Sequence, residues 1–281
     1  MLSTAQNLVP YSDFSLNVTK EKELEGFFEF YTKHHIFIET NRYILKTATS
    51  VPDLEKVFQL RYKCFLQENN ESESDVYLDF DGYDKHCDHI MIEAKDENRV
   101  VGTYRLLCST YTDSFYSQNE FNLGTFLSEP GIKLELGRAC IDENYRNGSV
   151  IDLLWKGVGR YCKLTNSQFL FGCSSIKTID NDLAYSLYQS LFEAGHCSLQ
   201  YNATVNEQYV RDVCVNKNFD TMASKVVKTL PPLLRSYILA GAKIHSMPAY
   251  DKEFSCYDLL TILNISEINS MFKNRYFNSE V

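Results

Sequence analysis

The chain has no apolar run approaching the roughly 20 residues that a bilayer-crossing helix needs, so any membrane contact is expected to be peripheral. It has no internal repeat, no low-complexity tract and no Pro/Gly-rich linker, and only 6 Pro and 12 Gly are spread over 281 residues. These absences exclude solenoid, collagen-like and linker-joined architectures. The first residues lack the basic-then-apolar pattern of a secretory signal. The nine Cys are odd in number and form no C-x-x-C pair, which argues against a disulfide framework. Reduced thiols in the cytoplasm are the expectation, and a place at the inner face of the membrane stays open. Positive charge is also in short supply: 28 Lys and Arg against 37 Asp and Glu leave a net charge of -9. Coating of nucleic acid is thereby excluded, and an anionic partner must meet a local basic patch.

Hydrophobic residues at 44% and charged residues at 23% are values of a chain that folds around a core. Tyr and Phe are abundant, 19 and 18 against a single Trp. Such rings suit either the walls of a pocket for a long apolar ligand or a core that uses rings in place of Leu. Residues 1–40 read as an N-terminal appendage and residues 41–281 as one compact domain. Tyr43–Thr47 is expected to be a strand. A helix enters at Pro52 and Asp53, with Leu54, Val57, Phe58, Tyr62 and Phe65 at helical spacing. Ile90–Ala94 and Val100–Leu107 flank Lys95-Asp96-Glu97-Asn98 as a hairpin. Lys133–Ile141 follows as a strand, Asp142–Gly148 as a polar turn and Val150–Leu164 as a helix with Leu153, Leu154, Val158 and Tyr161 inward. Gln168–Ser174 is a short strand, and Asp180–Ala194 a helix ending at Gly195. Leu230–Ala240 is expected to be helical and Tyr257–Leu263 a strand. Strand, helix, strand, helix after a hairpin means an α/β (α+β) chain with a mixed sheet.

Tyr145-Arg146-Asn147-Gly148-Ser149 leads from a strand into a helix N-terminus, where unpaired N–H groups and the helix dipole can hold a phosphate. The plain alternative is an ordinary turn. One strand later come Asn181, Ala184, Leu187 and Tyr188, which reproduce the N-x-x-A-x-x-L-Y pattern of GNAT acyltransferases. Upstream, Arg61-Tyr-Lys-Cys-Phe65, Phe80-Asp81-Gly82-Tyr83-Asp84, Tyr104-Arg105-Leu106-Leu107 and Glu135-Leu136-Gly137-Arg138 resemble, in order and approximate spacing, acyl-homoserine lactone synthases. Nearer still is the resemblance of His86-Cys87-Asp88-His89, Val101–Leu107, Leu134–Cys140, Leu153-Leu154-Trp155 and Leu170-Phe171-Gly172-Cys173 to the hemolysin-like GNAT group. That group contains the ornithine-acyl-carrier-protein N-acyltransferases of ornithine lipid synthesis. Leu230–Arg235, Gly241-Ala242, Pro248-Ala249 and Asp251 are similar to its C-terminal part.

The resemblance implies a GNAT-like mixed central sheet flanked by helices and splayed between its fourth and fifth strands. It implies an N-acyltransferase with no bound cofactor. The donor would be an acyl-phosphopantetheine thioester, on acyl-carrier protein or on CoA, with a (3-hydroxy)fatty acyl group. The acceptor would be ornithine or a related amino acid and the product a lyso-aminolipid. Glu135 would be the base, through water, Arg138 a further catalytic group, and Tyr188 the acid for the departing thiolate. Arg61, Phe65, Asp81, Asp84 and Arg105 would surround the acceptor together with Arg138. Arg146, Gly148, Ser149 and Asn181 would hold the donor. The turn has only Gly148 of the family's Arg-x-x-Gly-x-Gly/Ala, which argues against tight binding of a CoA pyrophosphate. Other readings stay open: a different N-acyl amine or lactone-type signal synthase, or a non-catalytic protein that binds acyl-carrier protein or lipid.

Four further features admit more than one reading. Glu135 and Arg138, three apart on a strand, are expected on opposite faces and need not touch. Lys156, Arg160 and Lys163 recur at i, i+4 and i+7 and form either a docking face for acyl-carrier protein or a solvated helix face. His86, Cys87 and His89 have too few partners at ligand spacing for a metal, and none is expected. Cys87, Cys140 and Cys173 read as small buried apolar residues.

Overall fold

The computed structural model describes residues 27, 30–65, 78–211 and 226–278. The strands are β1 (Phe37–Glu39), β2 (Tyr43–Thr47), β3 (Asp88–Ala94), β4 (Arg99–Cys108), β5 (Phe121–Asn122), β6 (Ile132–Ile141), β7 (Ser167–Ile176), β8 (Thr204–Val205), β9 (Lys243–Ile244), β10 (Ala249–Asp251) and β11 (Cys256–Asn264). The helices are α1 (Val51–Phe65), α2 (Ser149–Thr165), α3 (Asn181–Glu193), α4 (Val226–Thr229), α5 (Pro232–Ala240) and α6 (Ser270–Tyr276). Nine strands make one sheet, in the order β1-β2-β3-β4-β6-β7-β11-β10 with β9 beside β11, while β5 and β8 form a separate ribbon. Every pairing in the large sheet is antiparallel except β6 with β7. α2 supplies the crossover that a parallel pair requires.

Alternation along the central strands assigns the two faces of the sheet. Ile90, Ile92, Tyr104, Leu106, Leu134 and Leu136 lie in one core with Leu153, Leu154, Trp155, Val158 and Tyr161 of α2. The inner stripe of α2 is the expected one. On the other face Met91, Val100 and Cys140 pack against Leu54, Val57, Phe58 and Cys64 of α1. Further along that face Phe115, Phe121, Phe126, Phe169, Phe171 and Tyr201 form an aromatic core, with Phe115 and Phe126 each 5.1 Å from Phe171 and steeply inclined to it. Most of the abundant rings therefore build core rather than pocket wall.

The sheet begins before residue 40, which corrects one boundary: β1 pairs with β2 from Phe37↔Lys46 to Glu39↔Ile44. Ile36 and Ile38 are buried in the α2-side core, so the stretch just before β2 belongs to the domain. The rest of the expected appendage, residues 1–26, 28 and 29, lies outside the described residues. No helix among the described residues is long and apolar enough to cross a membrane.

Candidate active site

The parallel pair β6–β7 is joined only from Ile132↔Ser167 to Glu135↔Phe171. Beyond Glu135 the two strands part, and β6 from Leu136 onward has no partner on that side among the described residues. The fork forms immediately after a close approach, because a Cβ on Gly172 would stand 2.3 Å from the Leu136 carbonyl oxygen. Only glycine lets the strands come this near before they separate. A cavity of about 500 Å³ opens in the fork, lined by β6 from Glu135 to Ile141 and by Cys173, Ser174, Ser175 and Lys177. Phe65 of α1 and Pro231, Leu233 and Leu234 at the start of α5 give it an apolar wall.

Glu135 stands at the root of the fork. Its side chain is buried and accepts from the Tyr116 and Ser117 backbone N–H groups at 2.9 and 2.7 Å and from the Ser117 hydroxyl at 2.6 Å. Burial raises its carboxyl above the ordinary glutamate value, opposed by the Ser117 and Tyr116 hydrogen bonds and by the charge of Arg105. The same carboxylate thus anchors a turn and stays a stronger base than an exposed glutamate.

Arg138 corrects the expectation that it faces away from Glu135. It has a φ of 50°, and the pairing of β4 with β6 slips between Thr103↔Cys140 and Arg105↔Gly137. This β-bulge inserts one residue, reverses the alternation and puts Glu135 and Arg138 into the lining of one cavity. The guanidinium lies between the rings of Tyr116 and Phe254, 4.8 and 4.7 Å from their centroids.

The other charged residues named from the sequence form a lattice. Arg61 donates through Nε to Asp79 Oδ2 at 2.7 Å and through its terminal nitrogens to Asp84 at 2.8 and 3.3 Å. Arg105 bonds both Asp81 oxygens at 2.7 Å and Asp84 at 3.3 Å. Arg138 donates to Asp81 at 3.3 Å and lies 3.5 Å from Asp79. Three guanidinium groups balance three carboxylates, and Asp79 is the member that sequence reasoning missed. Burial works against ionisation of Asp81, but Arg105 and Arg138 outweigh it and hold its carboxyl well below the usual value. Arg61 and Asp84 are fully buried, whereas Arg105 and Arg138 reach the cavity.

The expected donor-binding residues are divided. Arg146 lines the fork cavity at its exposed end, and its Nε donates to the Ile141 carbonyl at 3.0 Å. Lys177, not singled out from the sequence, lines the same end. Gly148, with a φ of 85°, and Ser149 instead line a separate open groove with Arg42, Lys156 and Arg275, and the Ser149 N–H already donates to the Asn147 side chain at 3.1 Å. Asn181 accepts from the Tyr257 hydroxyl at 2.9 Å. Tyr188 of α3 packs, half-buried, against a cluster containing Leu191, Leu230 and the cavity-lining Leu234, and is not itself among the residues that line the cavity. The phenol that does line the cavity is Tyr116, and burial, opposed by Arg138, raises its pKa so that it keeps its proton at neutral pH.

Cys87 and Cys140 are buried as expected, whereas Cys173 is half-buried and lines the cavity. Burial raises all three thiols, so they stay protonated and poorly nucleophilic. His89 is buried, with Nε2 3.2 Å from the Asp84 carbonyl oxygen, and burial lowers its pKa to about 4. On α2, Arg160 and Lys163 are exposed, and Lys156 is half-buried with its ammonium 3.4 Å from Asp152.

A mixed central sheet flanked by helices that forks between two parallel strands, with a buried glutamate at the root of the fork, is a GNAT-like arrangement suited to acyl transfer. The family model for the acetyltransferase (GNAT) domain matches residues 60–156. The chain is similar to the L-ornithine N(alpha)-acyltransferase of Rhizobium meliloti, at 29% identity over 82% of this chain and 83% of that one. It is likewise similar to the L-ornithine N(alpha)-acyltransferase of Brucella abortus, at 25% identity over 83% of this chain and 88% of that one. Among solved structures, the crystal structure of the acyl-homoserine lactone synthase LasI aligns with a TM-score of 0.45 and 12% identity over 86% of this chain and 98% of that one.

Proposed function

We propose that the protein transfers a fatty acyl group from a phosphopantetheine thioester to the α-amine of ornithine or a closely related amino acid, giving a lyso-aminolipid. The observation that carries this reading is the fork cavity, in which a strand edge unpaired among the described residues, a base, a guanidinium and an apolar wall meet. The pantetheine arm lies along the free edge of β6, where backbone groups take up its amides as an added strand would. The acyl chain follows Phe65, Leu233 and Leu234. The acceptor carboxylate pairs with Arg138, which the lattice and two rings hold in place. Glu135 takes the proton from the ammonium, directly or through water, so that the neutral amine attacks the thioester carbonyl. Tyr116 replaces Tyr188 as the proton source for the leaving thiolate. The similarity to two L-ornithine N(alpha)-acyltransferases over most of their length supports the choice of acceptor. Transfer of radiolabelled ornithine into an acyl amide by the purified protein tests this reading, and hydrolysis of the thioester without amide would contradict it.

Acyl-carrier protein is the proposed donor. Arg146 and Lys177 at the exposed end of the cavity meet the phosphate of its prosthetic arm, and Lys156, Arg160 and Lys163 meet its acidic surface. Attraction between such patches mainly raises the association rate and is weakened by salt. Reversing Lys156, Arg160 and Lys163 to Glu is expected to raise the KM for acyl-carrier protein on the order of tenfold and to flatten its salt dependence. A short acyl-pantetheine thioester should be used as before. Equal effects on both donors, or none on either, would place the carrier elsewhere.

A further inference from the structure

The floor of the fork cavity is acidic, and the chemistry described so far does not use that charge. Asp251 ends β10 and Asp258 lies on β11, and both line the cavity. Asp258 sits in the run Cys256-Tyr257-Asp258-Leu259-Leu260, opposite Ser175 of β7, whose hydroxyl donates to it at 2.6 Å. Asp251 accepts the Glu253 and Phe254 N–H groups at 2.8 and 3.2 Å through one oxygen, Oδ1. Glu120, which follows the turn held by Glu135, meets the Asp258 carboxyl from the other side. It is 1% exposed, and neither of its oxygens has a well-formed hydrogen bond. No Lys or Arg among the described residues forms an ion pair with any of the three. Three buried carboxyls without a cation hold protons in the empty site, and a cation entering it would take their place. Burial, with Asp258 and Asp251 nearby, raises the Glu120 carboxyl well above its usual value. Burial likewise pushes Asp258 up to about 6, the Ser175 hydrogen bond opposing it and Asp251 adding to it.

We infer that Glu120, Asp251 and Asp258 form a subsite for the side-chain ammonium of a diamino acid acceptor, an inference that rests on the amino-acid acceptor proposed above. Arg138, Asp251 and Asp258 line the same cavity, with Glu120 behind Asp258, so an acceptor with a carboxylate at one end and a second ammonium at the other is bound at both ends. An ammonium donates three hydrogen bonds and matches a floor whose carboxyls, once they give up their protons, offer only acceptors. The α-amine is thereby selected for acylation, because the distal amine stays charged among carboxylates and cannot attack. A neutral amino acid of equal length would leave the cluster unpaired, the kind of penalty by which enzymes discriminate strongly.

The test compares ornithine with norvaline, which has the same carbon chain without the terminal amine, in the full-length enzyme. Wild type is expected to favour ornithine strongly. Asp258→Asn and Asp251→Asn should each lower kcat/KM for ornithine by roughly 30-fold or more, the range for losing one partner of a buried charge pair. Activity toward norvaline should hold or rise. Because each change relieves carboxyl repulsion, the ligand-free variants should melt no lower than wild type. Wild-type use of norvaline as readily as ornithine would overturn the subsite and leave the amino-acid acceptor standing. No transfer to either amino acid would overturn the acceptor reading instead, and calorimetric binding of ornithine, lost in both variants, then supports the subsite independently of turnover. Asp251, Cys256 and Asp258 also bring ligand atoms within 4.8 Å of one another. Tight binding of Zn2+, Mn2+ or Mg2+ to chelator-treated protein, lost in the same variants, would make the cluster a metal site and overturn the proposal.

Discussion

Glu135→Gln is expected to lower turnover by roughly 100-fold or more with donor affinity unchanged, the cost usual for a lost general base. The amide has nearly the shape of the carboxylate and can still accept from Ser117, but its NH2 must face the Tyr116 N–H. One backbone hydrogen bond is therefore lost, and a fall in stability of about 1–3 kcal/mol should accompany the loss of rate. Ser117→Ala separates the two effects, because it loosens the same turn and removes one hydrogen bond to the carboxylate while leaving the carboxylate itself in place. It should lower stability with only a modest change in rate. The pH profile gives a third readout. Burial holds the Glu135 carboxyl above the ordinary glutamate value against its hydrogen bonds. The acid limb of kcat/KM should thus lie above the range of an exposed glutamate and vanish in the Gln variant. Turnover of Glu135→Gln equal to wild type would remove this residue from the chemistry and leave it as the anchor of the turn.

Asp84→Ala is expected to cost about 3–5 kcal/mol of folding free energy, since it leaves three buried guanidinium groups against two carboxylates and takes from Arg61 one of its two acidic partners. Asp84 takes two bonds from Arg61, one from Arg105 and one from the Asp81 N–H at 2.7 Å, and water does not reach it. Urea unfolding should show the loss as a lower midpoint, with the protein that remains folded retaining its acceptor KM. Asp81, which is half-buried, behaves differently with pH. Its folded carboxyl is held below the ordinary aspartate value of 3.8, so the stability it adds is present above that value and is lost as the pH falls further. A raised acceptor KM in Asp84→Ala with unchanged stability would move Asp84 from the frame of the site to its substrate contacts.

Local pattern made most of the frame legible. The hairpin of β3 and β4, the strand β6, the helix α2 and the strand β7 each carry their own periodicity, and each lies within a few residues of its expected bounds. Tertiary context decided the rest. Leu134-Glu135-Leu136-Gly137-Arg138 alternates as a flat strand would, and nothing local reveals that Arg138 enters a left-handed conformation and reverses the faces. Asp79 stands next to the quoted Phe80–Asp84 segment, but its partners are on α1 and β6. Glu120, Asp251 and Asp258 come from three separated segments, a polar loop and two strands, so no spacing rule could join them. Tyr188 keeps its motif, but what it packs against, the cluster of Leu191, Leu230 and Leu234, depends on elements far along the chain that the motif does not reveal.

The most direct measurement of the central claim is mass spectrometry of the products formed by purified protein from a long-chain acyl-carrier protein and ornithine. The account predicts one new amide, acylated on the α-nitrogen, with the side-chain amine free and an equal amount of deacylated carrier. Amide formed on the distal nitrogen, or carrier deacylated with no amide on any amino acid, would contradict it.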